Sequence, residues 1–250
     1  MKTISIVMPL YNDAFNVRRA LDSAVSQGAD EVVVVDDCST DGSYEIACNY
    51  PVRVIRHPAK SEDHNKALEP IIESLTTDYV ICLASDDWLY PGMVAAVRRA
   101  LSASRGEPGI ISCEFDAVDK DGQLIRTNRF SPVQVEFTPV TYRAYAANFT
   151  MRPASGCTAA FRRDMLVWLQ REDYASLGPW ADMWGCLLVS LIAGAVYVPG
   201  PLGAFTMRGD SYSGRICRDP ILRAKYLKAA EAFLLRPAIM PIAQGVKFCI

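Results

Sequence analysis

"EVVVVDDCSTDG", residues 31–42, decides the fold. Four valines run straight into two adjacent aspartates, Asp36 and Asp37, followed by small polar residues and a glycine. A short, unbroken run of β-branched side chains reads as a strand buried on both faces, the kind that parallel sheets contain. Carboxylates are costly to leave beside a core, so the strand must end at an edge where acids meet water, amides or a ligand. The runs "TISIVMPL" (3–10), "VRVIR" (52–56) and "YVICL" (79–83) repeat the pattern on either side. Helical spacing fills the gaps between them. Val17, Ala20, Leu21, Ala24 and Val25 fall on one face, with Asn12 or Asp13 as the cap. A helix near 42–48 has Ser39, Thr40 and Asp41 as candidate caps, and Ala67, Leu68, Ile71, Ile72 and Leu75 mark a third helix. Alternating strands and helices of this length specify an α/β fold: a mostly parallel central sheet with helices on both faces.

Beyond Pro91 the regularity loosens. The spacing predicts a helix at 92–103, a strand at 109–115 ("GIISCEF"), an Asp-Gly hairpin at 119–125 and a helix at 138–149. A strand at 157–161 ("CTAAF") and helices at 162–170, 182–193 and 219–235 complete the set, the last with Leu222, Tyr226, Ala229 and Phe233 along one face. Residues 1–250 read as a single domain: a nucleotide-binding half over 1–100, a smaller acceptor-side region over 101–215 and a helical tail over 216–250. The stretch from Met183 to Met207 carries no charge and is long enough to span a membrane. Gly194 and "PGPLG" (199–203) interrupt it, so a buried helix, a glycine turn and a buried strand explain it better.

Half of the 250 residues are apolar, which supports a sizeable core. A formal charge of -2 offers no general field for nucleic acid, and no nucleic-acid partner is expected. The eight cysteines show neither a C-x-x-C pair nor zinc spacing. With no signal peptide at the N-terminus, a reduced, cytoplasmic setting is expected.

Ligands of open parallel sheets bind outside the carboxyl ends of the strands. Three polar clusters stand there: "PLYND" (9–13), "DDCSTD" (36–41) and "ASDDWLYPG" (84–92). No G-x-G-x-x-G follows the first strand, and there is no P-loop and no glycine loop of the nucleotidyltransferase kind. Phosphates must therefore be neutralised otherwise. Asp86 and Asp87 are hard oxygen ligands suited to a divalent cation that carries a diphosphate. Asp37 is placed to accept from a base edge, with Tyr11 available to stack on a ring.

Four segments in register, "SIVMPLYNDAFNVRRALDSAVSQ", "EVVVVDDCSTDGS", "DYVICLASDDWLYPGM" and "PWADMWGCLLVSLIAGAVYVPGPLGAF", resemble a family 2 glycosyltransferase of the GT-A fold, from residue 3 to about 213. The resemblance implies inverting transfer from a nucleotide-sugar donor, with Mn²⁺ or Mg²⁺, to a glycan or lipid-linked acceptor in surface polysaccharide synthesis. It also implies peripheral association with the inner face of a membrane. Residue by residue, it implies Pro9 and Tyr11 around the base, Asp37 accepting from a pyrimidine N3–H, and Asp13 and Lys66 in the donor set. UDP and dTDP present the same N3–H, so both fit. Asp36 reads instead as a structural acid bonding nearby amides. The family's acidic motif maps to Ser85, Asp86 and Asp87, with Asp87 the metal ligand and Asp86 towards the ribose or the metal's water shell. Asp182 in "GPWADMWG" matches the catalytic base, partly buried between Trp180 and Trp184, which are placed as a platform for the acceptor sugar. Arg208 or Arg215 is placed on the diphosphate as a lid.

Departures from the family pattern are specific. Ala181 and Ala84 stand where acids are common, and Ala67-Leu68-Glu69 lacks the donor-contacting arginine, for which Lys60, Lys66 or Arg56 stands as a substitute. These losses keep open a second, non-catalytic reading, a degenerate nucleotide-sugar-binding protein. His57 and His64 have no partner at ligand spacing and read as solvated or structural. Tyr142, Tyr145 and Phe149 at helical spacing read as core.

Overall fold

A computed structural model describes residues 1–61, 64–148, 156–209 and 212–244. In the first half, strands β1 (Ile4–Leu10), β2 (Glu31–Asp36), β3 (Arg53–Arg56) and β4 (Tyr79–Cys82) alternate with helices α1 (Val17–Val25), α2 (Ser43–Cys48) and α3 (His64–Ser74). A two-residue strand β5 (Trp88–Leu89) and helix α4 (Met93–Ala103) follow. Strands β6 (Ile110–Val118), β7 (Leu124–Asn128) and β8 (Val135–Phe137) then lead into helix α5 (Pro139–Asn148). After β9 (Ala159–Arg162) and α6 (Arg163–Arg171), a 3₁₀ segment (Tyr174–Trp180) runs into α7 (Ala181–Ala193) and the long strand β10 (Ala195–Thr206). Helices α8 (Tyr212–Arg218), α9 (Pro220–Leu234) and α10 (Met240–Ala243) end the described chain.

Among the described residues one ten-stranded sheet has the path β3-β2-β1-β4-β9-β6-β10-β5, with β7 on β6 and β8 on β10. β3, β2, β1 and β4 are mutually parallel, and β6 is parallel to β10. β9 inserts antiparallel between β4 and β6, so β6 and β10 keep the direction of the first four strands. The sheet is thus mostly parallel along its path, with β9 and β5 reversed.

The valine run does what its composition requires. Val33 and Val35 face one core with α3, α6 and α7, while Val34 faces the other with α1 and α4. β1 divides the same way: Ile4, Ile6, Met8 and Leu10 point to one side and Val7 to the other. Each such fully buried aliphatic side chain contributes about 1.5–3 kcal/mol. Helix α1 buries Val17, Ala20, Leu21 and Ala24, but Val25 lies at the exposed edge of that face. On α9 the buried residues are Ala230 and Phe233, with Leu222 exposed; the helix turns Ala230, not Ala229, to the core. Ala230, Phe233, Ile239 and Ala243 share that core with α7, so the C-terminal helices pack onto the domain rather than trail from it.

The uncharged stretch after Met183 is a helix, a turn and a strand. The apolar helical stretch Tyr174–Ala193 has the length and composition to cross a membrane, yet 67% of its most apolar window is buried inside the protein. Gly194 ends α7 at φ 74°, ψ 173°, a conformation essentially confined to glycine, with the Phe137 carbonyl oxygen where a Cβ would sit. Gly194→Ala is expected to lower stability by about 1–3 kcal/mol from backbone strain alone. Urea unfolding should show this as a lower midpoint at unchanged m-value. The Asp-Gly hairpin forms as expected, with Gly122 at φ +83° and its amide donating to the Asp119 carbonyl.

Candidate active site

The carboxyl ends of β1, β2 and β4 open onto one edge of the sheet. Asn12, at φ 46°, caps no helix; α1 begins only at Val17, with Asn16 before it. Asn12 stitches the first two strand ends together instead. Its Oδ1 accepts from the Thr40 amide at 2.7 Å, and its own amide donates to Ser39 Oγ at 3.0 Å. Asp13 is buried and receives Asn16 Nδ2 and Ser85 Oγ, both at 2.7 Å. Its amide donates to Ser43 Oγ. The "PLYND" and "ASDDW" clusters are therefore hydrogen-bonded to each other.

The two acids of the opening stretch divide as their sequence suggests. Asp36 is fully buried, accepts from the Ser39 amide and faces Arg56 Nε at 3.3 Å. Asp37 is 6% exposed, with Oδ1 receiving the Ser61 amide at 2.8 Å and lying 3.4 Å from His57 Nδ1. Among the described residues, both of these contacts to its carboxylate fall on Oδ1. Tyr11 is 43% exposed, and Lys60 Nζ lies 3.6 Å from its ring centroid; Pro9 is half-buried on β1. Of the three candidate substitutes for the absent arginine, Arg56 is engaged with Asp36 and the Ser39 carbonyl, and Lys66 pairs with Asp173 at 3.4 Å. Only Lys60 touches a predicted donor residue. Lys66 is not brought to the cluster.

The acid pair sits on the turn between β4 and β5. Asp87 is 2% exposed, and its Oδ1 accepts from the Thr206 amide at 2.8 Å. Thr206 Oγ1 in turn donates to the Asp86 carbonyl at 2.5 Å, so the end of β10 is clamped onto the acidic turn. Arg208 extends the clamp: Nη2 lies 2.7 Å from Asp86 Oδ2 and Nη1 lies 3.8 Å from Asp13 Oδ1. Burial pushes the Asp86 carboxyl up, with Asp13 adding to the shift and Arg208 opposing it. Burial first, then the Asp86 charge, holds the Asp87 carboxyl well above the usual carboxylate range, and Asp182 adds to this. Arg19 on α1 lies 3.6 Å over the Trp88 ring; burial pulls its pKa down while Asp86, Asp87 and Asp13 push it back. Composition and motif matching miss Thr206, Arg19 and Ser61. The one local signal for Thr206 is its place two residues before Arg208.

Asp182 occupies the first turn of α7 and is exposed rather than partly buried. Its charge is nevertheless felt at Asp87 and at the Cys82 thiol, which burial and Asp182 together push up to about 12. Base candidate and metal candidates are therefore near enough for one charge to act on the other. Trp184 must be reassigned. It is 2% exposed and packs in the core beside Ala181 and Leu188, because i, i+3 and i+7 of α7 share the inward face. No ring face remains there for a sugar. Trp180, half-buried at the end of the 3₁₀ segment, packs against the same core.

Tyr142 is fully buried and packs edge-on against Phe137, as a core residue should. The side chains of His64 and Cys217, and residues Phe149 and Cys249, lie outside the described residues. A surface depression of about 490 Å³ around Met1, Lys2, Asp78 and Arg98 lies at the amino ends of β1 and β4, the wrong end of the sheet for this chemistry.

The decisive comparison is with protein families: residues 5–168 match the model described as glycosyl transferase family 2. The chain belongs to that family. An uncharacterized glycosyltransferase of Rickettsia typhi is 29% identical over 119 residues, covering 47% of this chain and 37% of that protein. The uncharacterized glycosyltransferase YibD of Escherichia coli is 35% identical over 96 residues, covering 36% of this chain and 28% of that protein. The chain thus spans well under half the length of these curated relatives. Among solved structures, residues 1–349 of S. aureus TarS in complex with UDP-GlcNAc superpose with a TM-score of 0.69 at 18% identity, over 94% of this chain and 67% of that one. The complex with UDP gives 0.68 over 94% and 66%. The fold of this family 2 chain is accordingly GT-A.

Proposed function

We propose that the chain is an inverting glycosyltransferase that moves a sugar from a UDP- or dTDP-linked donor to a hydroxyl of a glycan or lipid-linked acceptor. In this reading it works in surface polysaccharide synthesis, at the cytoplasmic face of a membrane. The observation that carries the reading is the joining of separate strand ends into one acidic edge by the Ser85–Asp13 and Arg208–Asp86 contacts, each at 2.7 Å. The likeness in fold to TarS, whose structures hold UDP and UDP-GlcNAc, supports the donor class.

Tyr11 and Pro9 flank the base, and Asp37, anchored through Oδ1 by Ser61, offers its second oxygen to the N3–H. Asp182 takes the proton of the acceptor hydroxyl as that oxygen attacks the anomeric carbon. The bond from that carbon to the diphosphate oxygen breaks, and its electron pair leaves on the nucleoside diphosphate. Attack opposite the leaving group inverts the configuration. Arg208 is placed to receive the charge that develops there. Trp180 lines the acceptor side, next to the first turn of α7.

The donor set fits a hard divalent cation. Among the described residues no group of three or more His, Cys, Asp and Glu side chains forms a metal cage. Asp86 and Asp87 would hold Mn²⁺ or Mg²⁺ with the remaining ligands coming from diphosphate and water, as Mg²⁺ commonly prefers. When bound, the ion would neutralise the diphosphate, and it would favour the ionised form of Asp87 that burial disfavours. The test is a panel of nucleotide sugars with Mn²⁺ or Mg²⁺, read as nucleoside diphosphate release in the presence of glycan and lipid-linked acceptors. Release from a UDP- or dTDP-sugar is expected. Release from none of the panel under any metal condition would overturn the proposal.

A further inference from the structure

We propose that Arg208 is an exchangeable counter-cation that makes metal binding at the acidic turn conditional on the nucleotide donor, and the reverse. The inference rests on the donor-site reading above and goes beyond it to the order and coupling of the binding events.

Arg208 lies just past the end of β10, which Thr206 pins to the turn through Asp87 Oδ1 and the Asp86 carbonyl. From that fixed point its guanidinium reaches Asp86 Oδ2 at 2.7 Å and Asp13 Oδ1 at 3.8 Å, with 27% of its side chain exposed. It therefore already holds the place of a cation between carboxylates from two strand ends. Asp86 has only 16% of its side chain exposed, so water does little to replace that charge. A divalent cation arriving alone meets an oxygen already engaged and a positive charge within a few ångströms. A nucleotide arriving alone must draw that guanidinium away and leave the carboxylates uncompensated. A diphosphate arriving with a cation resolves both conflicts: its oxygens draw the guanidinium off Asp86, and the freed carboxylate takes the metal. Charges of this kind couple two ligands reciprocally, so each must raise the affinity for the other by the same factor.

The side chain next in line to compensate the acids does not do this job. Arg19 lies over the Trp88 ring and bonds none of the three carboxylates among the described residues, although it feels their field. Arg208 alone makes the direct ion pairs to Asp13 and Asp86 among the described residues.

The experiment measures free Mn²⁺ by electron paramagnetic resonance, and UDP by calorimetry, on the whole chain and on Arg208→Gln and Arg208→Lys. In the unmodified chain, UDP should tighten Mn²⁺ binding by about tenfold, and Mn²⁺ should tighten UDP binding equally. In Arg208→Gln, Mn²⁺ without nucleotide should bind several-fold more tightly, UDP without metal more weakly, and the coupling factor should shrink towards one. Arg208→Lys, which keeps the charge, should retain the coupling. Thermal unfolding of both variants confirms that the fold is intact. If Arg208→Gln binds Mn²⁺ alone no more tightly than the unmodified chain, while UDP still binds both, the switch is wrong and the donor site stands. If the unmodified chain binds no UDP with or without Mn²⁺, the donor-site reading falls and the switch falls with it.

Discussion

Asp182→Asn is expected to cut sugar transfer by about 10²- to 10⁴-fold, the usual worth of a positioned general base, while UDP still binds. The residue is exposed at the first turn of α7, and the helix is anchored by its neighbours Ala181, Trp184 and Leu188 on the buried side. Removing the charge therefore leaves the helix in place. Asparagine keeps the shape but cannot take the proton from an acceptor hydroxyl. The loss should appear in kcat as well as in kcat/KM, because the interaction exists only as the proton moves. Unchanged turnover in Asp182→Asn would remove Asp182 from the chemistry.

The second large effect runs in opposite directions for activity and stability. Asp87→Asn should lower metal-dependent transfer by at least about 10²-fold, the scale seen when one preorganised electrostatic partner is removed. Yet the ligand-free protein should become more stable. Burial and the adjacent Asp86 raise the Asp87 pKa in the folded state well above its ordinary value of 3.8. A group shifted that way contributes stability that is fully present below its unfolded pKa and is lost as pH rises through the folded pKa. The wild-type chain thus loses this contribution on going from acid to neutral pH, and Asp87→Asn does not. The asparagine Oδ1 can still accept the Thr206 amide. The difference in thermal midpoint should be negligible below pH 3.8 and open as pH rises. It should amount to about 2–4 °C for each kcal/mol recovered. A midpoint gap that does not vary with pH would show that Asp87 is not a buried carboxyl in an acidic environment. Such a trade of stability for function is expected where a site stores unfavourable charge for a ligand to relieve.

The first half of the fold was legible because its determinants are local. β1, β2 and β4 are buried on both faces and so read as continuous apolar runs, and α1, α3 and α4 carry a clear helical period between them. The second half depends on partners distant in sequence. β5 has two residues and exists because Trp88 and Leu89 pair with Ala204 and Gly203 of β10. β8 has three and forms against Ala195–Tyr197 of the same strand. β10 itself changes register on β6 around "PGPLG", where Glu114 accepts the Gly200 amide at 2.8 Å and holds the irregular stretch. No periodicity rule announces a strand whose shape is set by a carboxylate on its neighbour.

The candidate site divides along the same line. Acids at strand ends could be placed on one edge from topology alone, since loops after parallel strands gather there. What they bond to could not: Asp13 meets Ser85, and Asp86 meets Arg208, across long spans of chain. Trp184 shows the cost of reading a motif without its helix. Beside Asp182 in sequence it looked like a sugar platform, but two positions along a helix point in different directions, and the inward one belongs to the core. Lys66 is similar, since the helix α3 carries it to Asp173 rather than to the donor edge.

The central claim is that the edge formed by Tyr11, Asp37, Asp13, Asp86 and Asp87 binds a nucleotide sugar together with a divalent cation. Thermal unfolding in the presence of individual nucleotide sugars, each with and without Mn²⁺, tests it most directly. A ligand at one hundred times its dissociation constant stabilises by about 2.7 kcal/mol, or roughly 5–10 °C for a chain of this size. The account predicts a shift of that order for at least one UDP- or dTDP-sugar, present with Mn²⁺ and strongly reduced without it. No metal-dependent shift with any nucleotide sugar would contradict it.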